Sequence, residues 1–436
     1  MYKKFNLDKI NNNYLILLFT FLAFFNQLNY FRIKINETII FLPRILMVLF
    51  LMIFIVKIFS ILNNNKHFFQ KKNLLYFFIF YAQAFLSLIY LNNDFLKEGI
   101  NYNFIFYFSY DFFKYFLIYI FFCIIGVNLL NNKNIKIFFK FYLSLSYIVI
   151  FIGYFFFIFY IINSYEFTER VFYYDDPSIV GYRFYSLLGE PRDASVFLIT
   201  NCCIIALLFK NQTIDQQKKF YPYIFIIIFL SFFALLLTKS FSGVIGILLG
   251  FIIFLFIFTL DLIKKRVELR NIFLKIVLLS ILILIFLIPL FLSDRISDYF
   301  SQIYILIKNS STEIETLRIG SQTKDLMPLL KFAGYIINLE IKYIIFGNGS
   351  LSSYYFGAHE FAHPHSFLTR IFFDNGILGF MIYSLFIFSA LNKNSNLLEK
   401  FTLSFAYGSF LSVHSSFLFV FLMILMYFKK TNFNKS

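Results

Sequence analysis

Three of the chain's five histidines, His359, His363 and His365, fall within seven positions in the segment GNGSLSSYYFGAHEFAHPHSFLTRIFFDNGILGF (347–380). Imidazole takes up a proton near neutral pH, so a histidine held where a polar segment meets an apolar one can act as a general base. The same placement also suits histidines that cap a helix start or bond to lipid headgroups. A second cluster, GYRFYSLLGEPRDASVF (181–197), gathers Arg183, Glu190, Arg192 and Asp193 ahead of an apolar run. Guanidinium presents a planar fork of donors that matches phosphate; the plainer reading is a surface loop whose charges solvate or pair locally. Arg318, in IETLRIGSQ, is a lone guanidinium that could act on the same ligand. Asp111 and Lys114, three residues apart in an apolar run, share a helix face and are expected to neutralise each other. A role along a transport pathway is the sharper alternative for that pair.

The elements that must position these groups are set by composition. The chain has 436 residues, 60% hydrophobic and 14% charged, with 70 Phe, 31 Tyr and no Trp. A soluble domain averages about 25% charged residues, and a soluble core would not use so much apolar sequence. Apolar segments recur at 14–30, 39–62, 74–91, 104–130, 137–162, 194–209, 222–238, 241–262, 272–292, 366–391 and 401–428. Each is long enough, or nearly so, for a helix to cross a bilayer, and none alternates like a barrel strand. The expectation is an all-α polytopic transmembrane helix bundle of about 11–12 spans, organised as a single integral membrane domain over 1–436. The block at 401–428 is expected to turn at Ser412–Ser416 into two short or tilted spans.

The formal charge of +16 does not indicate nucleic acid, because Lys and Arg lie in short clusters between apolar runs. Lys66, Lys71 and Lys72, then Lys133, Lys136 and Lys140, then Lys210, Lys218 and Lys219, then Lys264, Lys265, Arg266 and Arg270 occupy alternate connections. That asymmetry is the positive-inside signature and predicts cytoplasmic N- and C-termini. Two long segments, 163–193 and 293–365, then lie on the outer side, the second partly helical with an amphipathic piece at 325–346. Cys123, Cys202 and Cys203 fall in apolar runs and suggest neither a disulfide framework nor a metal site. No cofactor is expected.

The order of these features resembles the O-antigen polymerase and O-antigen ligase superfamily. Gly347-Asn348-Gly349 is similar to its G-x-G, His363-Pro364-His365-Ser366-Phe367-Leu368 to its H-P-H-N-x-x-L, and Asp374-Asn375-Gly376-Ile377-Leu378-Gly379 to its x-x-G-[IL]-[IL]-G. Arg183, seven residues ahead of Glu190-Pro191, resembles the R-x-x-G-x-F-x-E-P pattern of polymerases. Ser366 departs from the family's Asn, and Glu190-Pro191-Arg192-Asp193 departs from the Pro-Asn form of ligases, which tilts the expectation towards polymerase. The resemblance implies a metal-independent glycosyltransferase in the bacterial inner membrane. Its implied substrate is an oligosaccharide on undecaprenyl pyrophosphate, polymerised into O-antigen or capsule-type polysaccharide at the periplasmic face. By the same resemblance His365 is the base on the acceptor hydroxyl, and Arg183 and Arg318 stabilise the pyrophosphate leaving group. Arg192, Glu190 and His363 follow as extra phosphate contact, alternative base and orienting partner. A separate chain-length co-polymerase is the implied protein partner. The alternatives are a ligase that transfers polymer to lipid A core, a protein-directed oligosaccharyltransferase, and, in a different class, a lipid-linked oligosaccharide flippase or other transporter.

Overall fold

The computed structural model describes residues 12–25, 32–35, 38–53, 71–87, 104–131, 133–163, 183–188, 190–264, 331–349, 352–354, 366–391, 395–413 and 415–433. The helices are α1 (Asn12–Phe25), α2 (Leu42–Ile53), α3 (Lys71–Ser87), α4 (Phe104–Tyr119), α5 (Asn134–Asn163), α6 (Pro191–Lys210), α7 (Ile214–Thr238), α8 (Phe241–Lys264), a short α9 (Ile341–Phe346), α10 (Phe367–Phe388), α11 (Leu397–Ser412) and α12 (Phe417–Phe433). Residues 331–337 are also helical. α4 runs on through a wider, π-type turn at Ile120–Gly126 to Leu129. One feature was not expected from the sequence: β1 (Arg32–Ile35) and β2 (Thr38–Phe41) pair antiparallel between α1 and α2, from Arg32↔Phe41 to Ile35↔Thr38. Their β-branched residues favour a pleated pair over coil. The expected span at 272–292 lies outside the described residues.

Hydrocarbon offers no hydrogen bonds, so apolar runs satisfy their backbone internally as helices. Six described helices are long and apolar enough to cross a membrane: Phe108–Leu129, Asn134–Phe159, Pro191–Lys210, Ile214–Thr238, Phe241–Leu262 and Phe367–Phe388. The 401–428 block is divided into α11 and α12 at the expected turn. Every residue from Phe417 to Phe428 is buried, so α12 is enclosed on all sides by other helices. α7 and α8 instead expose large apolar side chains such as Phe225, Phe229, Ile252 and Phe256, as helices facing lipid do.

Lipid tails are as apolar as leucine, so close backbone approach rather than hydrophobic burial holds membrane helices together. α8 and α11 use this at Gly246, Gly250 and Gly408. A Cβ on Gly408 would lie 2.2 Å from the Gly250 nitrogen and 2.6 Å from the Gly246 oxygen. Gly408→Ala is therefore expected to force the helices apart and lower stability by about 1–3 kcal/mol, read as an earlier thermal transition of the solubilised protein. A wild-type transition would show that the crossing has slack.

Polar contacts at the helix ends fix which ends share a side. The Asn73 amide at the start of α3 donates to Phe386 O and Ser389 Oγ at the end of α10, both at 2.8 Å. Lys429 Nζ donates to Ser389 O at 2.9 Å, and Lys430 Nζ to Asn128 Oδ1 at 3.1 Å. Lys400 at the start of α11 pairs with Asp261 near the end of α8. These contacts place the end of α4, and with it the lysines that open α5, at the same end of the bundle as the tail lysines. The opposite end holds the starts of α4 and α10.

Candidate functional site

α10 carries the centre of the site, and its start follows directly from the histidine-rich segment. Ser366 is its N-cap, with Ser366 Oγ accepting from the Thr369 N–H at 3.3 Å. Serine is one of the leading N-cap residues, because its hydroxyl accepts from a backbone N–H that the helix leaves unpaired. At Gly376, φ 64° and ψ −167° interrupt the helix in a backbone region reserved for glycine.

That interruption frees three successive carbonyls, which need partners in an apolar setting. Phe373 O accepts from the Asn348 N–H at 2.9 Å and from Asn348 Nδ2 at 3.2 Å. Asp374 O accepts from the Gly349 N–H at 3.1 Å, and Asn375 O from Gln83 Nε2 on α3 at 3.1 Å. The Gly-Asn-Gly and Asp-Asn-Gly sequences are thus two halves of one clasp. Gly347, at φ 78°, gives the closeness: a Cβ there would lie 2.4 Å from the Asp374 carbonyl. Tyr335 OH donates to Asn348 Oδ1 at 2.7 Å, tying the 331–337 helix to the clasp. Burial pushes the Tyr335 phenol well above its ordinary range, so the hydroxyl remains a donor.

A four-charge network lies at the same place. Arg370 Nη2 donates to Asp111 Oδ2 on α4 at 3.0 Å, and Arg370 Nε lies 3.7 Å from Asp374 Oδ2. Asp111 also holds Lys114 at 3.7 Å, the expected helix-face pair, and the ammonium stands 4.6 Å from the centre of the Tyr115 ring. The Asp374 carboxylate, 1% exposed, accepts from the Ser353 N–H at 2.7 Å and from Ser352 Oγ at 3.1 Å. It therefore fastens the 352–354 turn to α10. A pocket opens beside Arg370 and Asp111, lined by Phe80 and Tyr81 of α3, Tyr115 of α4, Phe367 and Tyr383 of α10, and Phe419 of α12.

Arg183 lies elsewhere, at the corner between α7 and α8. Its Nε donates to Thr238 O at 2.8 Å and Nη2 approaches Lys239 O at 3.4 Å, so it satisfies terminal carbonyls of α7 and meets the negative end of the helix dipole. Lys239 takes a left-handed conformation there, at φ 45°. Glu190 and Arg192 pair with each other at 2.5 Å, with Asp193 3.9 Å away. The same corner receives α6, because Ser195 Oγ lies 3.4 Å from Ser240 Oγ. His359, His363, His365, Arg318 and His414 lie outside the described residues.

Arg370 and Asp374 were not singled out from the sequence, although both fall in the quoted segment. The available signal was their i, i+4 spacing inside an apolar run, the mark of charges facing a bundle interior. Fold and site together define an all-α polytopic membrane protein with a charged, aromatic-lined pocket at one end of its bundle. No family model, curated protein or solved structure matches the chain.

Proposed function

We propose that the chain is a bacterial inner-membrane polymerase that joins oligosaccharide repeat units carried on undecaprenyl pyrophosphate. The observation that carries this reading is the continuity of the histidine motif with the pocket. His365 is followed at once by the Ser366 cap, and five residues after His365 the same helix delivers Arg370 into an aromatic-lined cleft. The clasp of 347–349 on 374–376 gives the family-like glycines a physical reason to recur with that histidine.

In the proposed reaction the acceptor sugar's hydroxyl attacks the anomeric carbon of the lipid-linked chain. A glycosidic C–O bond forms, the C–O bond to diphosphate breaks, the hydroxyl proton passes to His365, and undecaprenyl pyrophosphate leaves. Arg183 and Arg318 offset the charge that develops on the departing diphosphate, with Arg192, Glu190 and His363 in supporting roles. Arg183 would turn from the α7 carbonyls to the phosphate, or hold the corner against which phosphate rests. The positive-inside pattern puts this end of the bundle in the periplasm, where a chain-length co-polymerase would act with it.

The test is the surface-polysaccharide gel of a strain lacking this gene. A single repeat unit on the core, restored to a ladder by the wild-type gene, supports polymerase. Free polymer with bare core means ligase. The charges within α4 and α10 favour one further reading, transport of the lipid-linked unit, and an unchanged ladder in the deleted strain would return attention to it. Complementation with His365→Ala is expected to abolish the ladder, and Arg183→Lys, which keeps charge but loses the fork, to shorten it. A full ladder from His365→Ala would remove the base assignment.

A further inference from the structure

The amphipathic piece expected at 325–346 is described from Lys331 onward as two helical pieces, 331–337 and α9, and the reaction as written gives it no role. One face packs inward: Phe332 and Tyr335 are buried, and the Phe332 ring lies 5.4 Å from that of Phe372 on α10. The other face presents Ile337, Leu339 and Ile341, which are 79%, 76% and 65% exposed. An aliphatic cluster of this kind is costly to leave in water. The clasp sets its depth. α10 has 22 residues, about 33 Å of helix, against a hydrocarbon layer of about 30 Å. The clasp grips α10 at 373–375, about 10 Å along from its start. One observation favours lipid over water as the neighbour: the N–H groups of Asn338, Leu339, Glu340 and Ile341 all donate to carbonyls within the element, at 2.9 to 3.3 Å. A turn in water can leave such groups to solvent, whereas a turn in lipid cannot. The apolar surface also continues onto α10. Ile345 O lies against Gly376, and beyond it Ile377, Met381 and Leu385 form an exposed stripe at every fourth residue.

We propose that residues 331–346 lodge in the bilayer leaflet where α10 begins, with their aliphatic face among the acyl chains and Lys331 and Lys342 at anionic lipid headgroups. Both lysines are exposed, and their ammonium groups stand 5.6 and 5.2 Å from the ring centres of Tyr335 and Tyr343. The two rings stack at 4.9 Å, so both lysines flank one aromatic pair. Glu340 is the one acid between Lys331 and Gly349, which leaves the element net positive. Tyrosine and lysine together suit the headgroup level: the ring tolerates both phases, and the long aliphatic stem lets the charge reach phosphate. Lysine is depleted from protein–protein interfaces, which argues against a second protein on this face. Apolar burial and attraction to anionic lipid then act together, as they do for helices that lie in a membrane surface. The inference concerns where the element sits and is independent of the polymerase reading.

The absence of tryptophan from the chain makes the test direct. Ile337→Trp gives the full-length protein a single reporter on the exposed face, and Phe225→Trp, on the lipid-facing side of α7, calibrates full lipid quenching. Each is placed in liposomes of phosphatidylcholine and phosphatidylglycerol. Lipids brominated in their acyl chains are expected to quench Ile337→Trp strongly, and aqueous acrylamide only weakly. Quenching by acrylamide and not by brominated lipid would put the element in water and overturn the proposal. Quenching by neither would overturn it too, because protein would then cover the face; if dilution of the protein in lipid restores lipid quenching, that cover is a second copy of the chain. Headgroup contact is read by brominating one lipid at a time in an equimolar mixture. Brominated phosphatidylglycerol should quench Ile337→Trp at least about twofold more than brominated phosphatidylcholine, and equally once Lys331→Gln and Lys342→Gln are added. Equal quenching with both lysines in place would remove the headgroup contact.

Discussion

Arg370→Met is expected to lower the stability of the solubilised protein by about 3–5 kcal/mol, the cost of leaving a buried ion-pair partner without its counter-charge. The arginine side chain is 15% exposed and joins α10 to α4 through Asp111, while Asp374 beneath it is 1% exposed. Its removal takes one cation from Asp111, which keeps Lys114, and takes the Arg370 guanidinium from the buried Asp374. The compensating change separates structure from function. In Arg370→Met with Asp111→Leu and Asp374→Asn both carboxylates go as well, Lys114 can extend its ammonium towards water, and much of the thermal stability should return. Polymer formation should not return, because the charged groups are gone. Recovery of activity with stability would make the network a strut only. A single variant as stable as wild type would show that Arg370 is not the counter-charge described.

Gly376→Ala is expected to be as damaging by a different route. The backbone there lies in a region that costs an L-residue about 1–3 kcal/mol, and the new Cβ would stand 2.3 Å from Ile345 O. Gly347→Ala meets the same wall from the other side. Either change should open the clasp, expose the freed carbonyls of 373–375, and admit protease at Gly347–Gly349. Gly334→Ala is the control, because a Cβ there meets nothing within 4 Å and alanine is the better helix former. It should be neutral or slightly stabilising. Limited proteolysis and thermal unfolding read all three, and wild-type protection in both Gly347→Ala and Gly376→Ala would contradict the clasp.

Much of the fold was legible because lipid leaves so few choices. Runs such as Phe241–Lys264 could only be helical, and alternating lysine clusters told which ends belong together before Asn73, Lys429 and Lys430 were seen at one end. The break between α11 and α12 followed from Ser412–Ser416 interrupting an apolar block. The Asp111–Lys114 pair could be read from helix spacing, since it is a local contact. Arg370 could not be joined to Asp111, because they are 259 positions apart and nothing in either run names the partner. Arg183 shows the same limit in another form: its phosphate-matching fork was visible, but not the α7 carbonyls it holds. The role of Gly347 and Gly376 was hidden for a related reason. The sequence shows two glycines, whereas their close approach, with a Cβ on Gly376 only 2.7 Å from the Gly347 nitrogen, depends on contacts between 347–349 and 374–376 that no local pattern names.

The most direct test of group transfer uses the purified full-length chain in liposomes with the undecaprenyl-pyrophosphate-linked repeat unit as sole substrate and no added metal or nucleotide. The proposal predicts products of two or more repeat units on one lipid, with one undecaprenyl pyrophosphate released for each bond formed, and neither product from His365→Ala. Intact donor recovered unchanged, or donor moved between leaflets without bond formation, would contradict it.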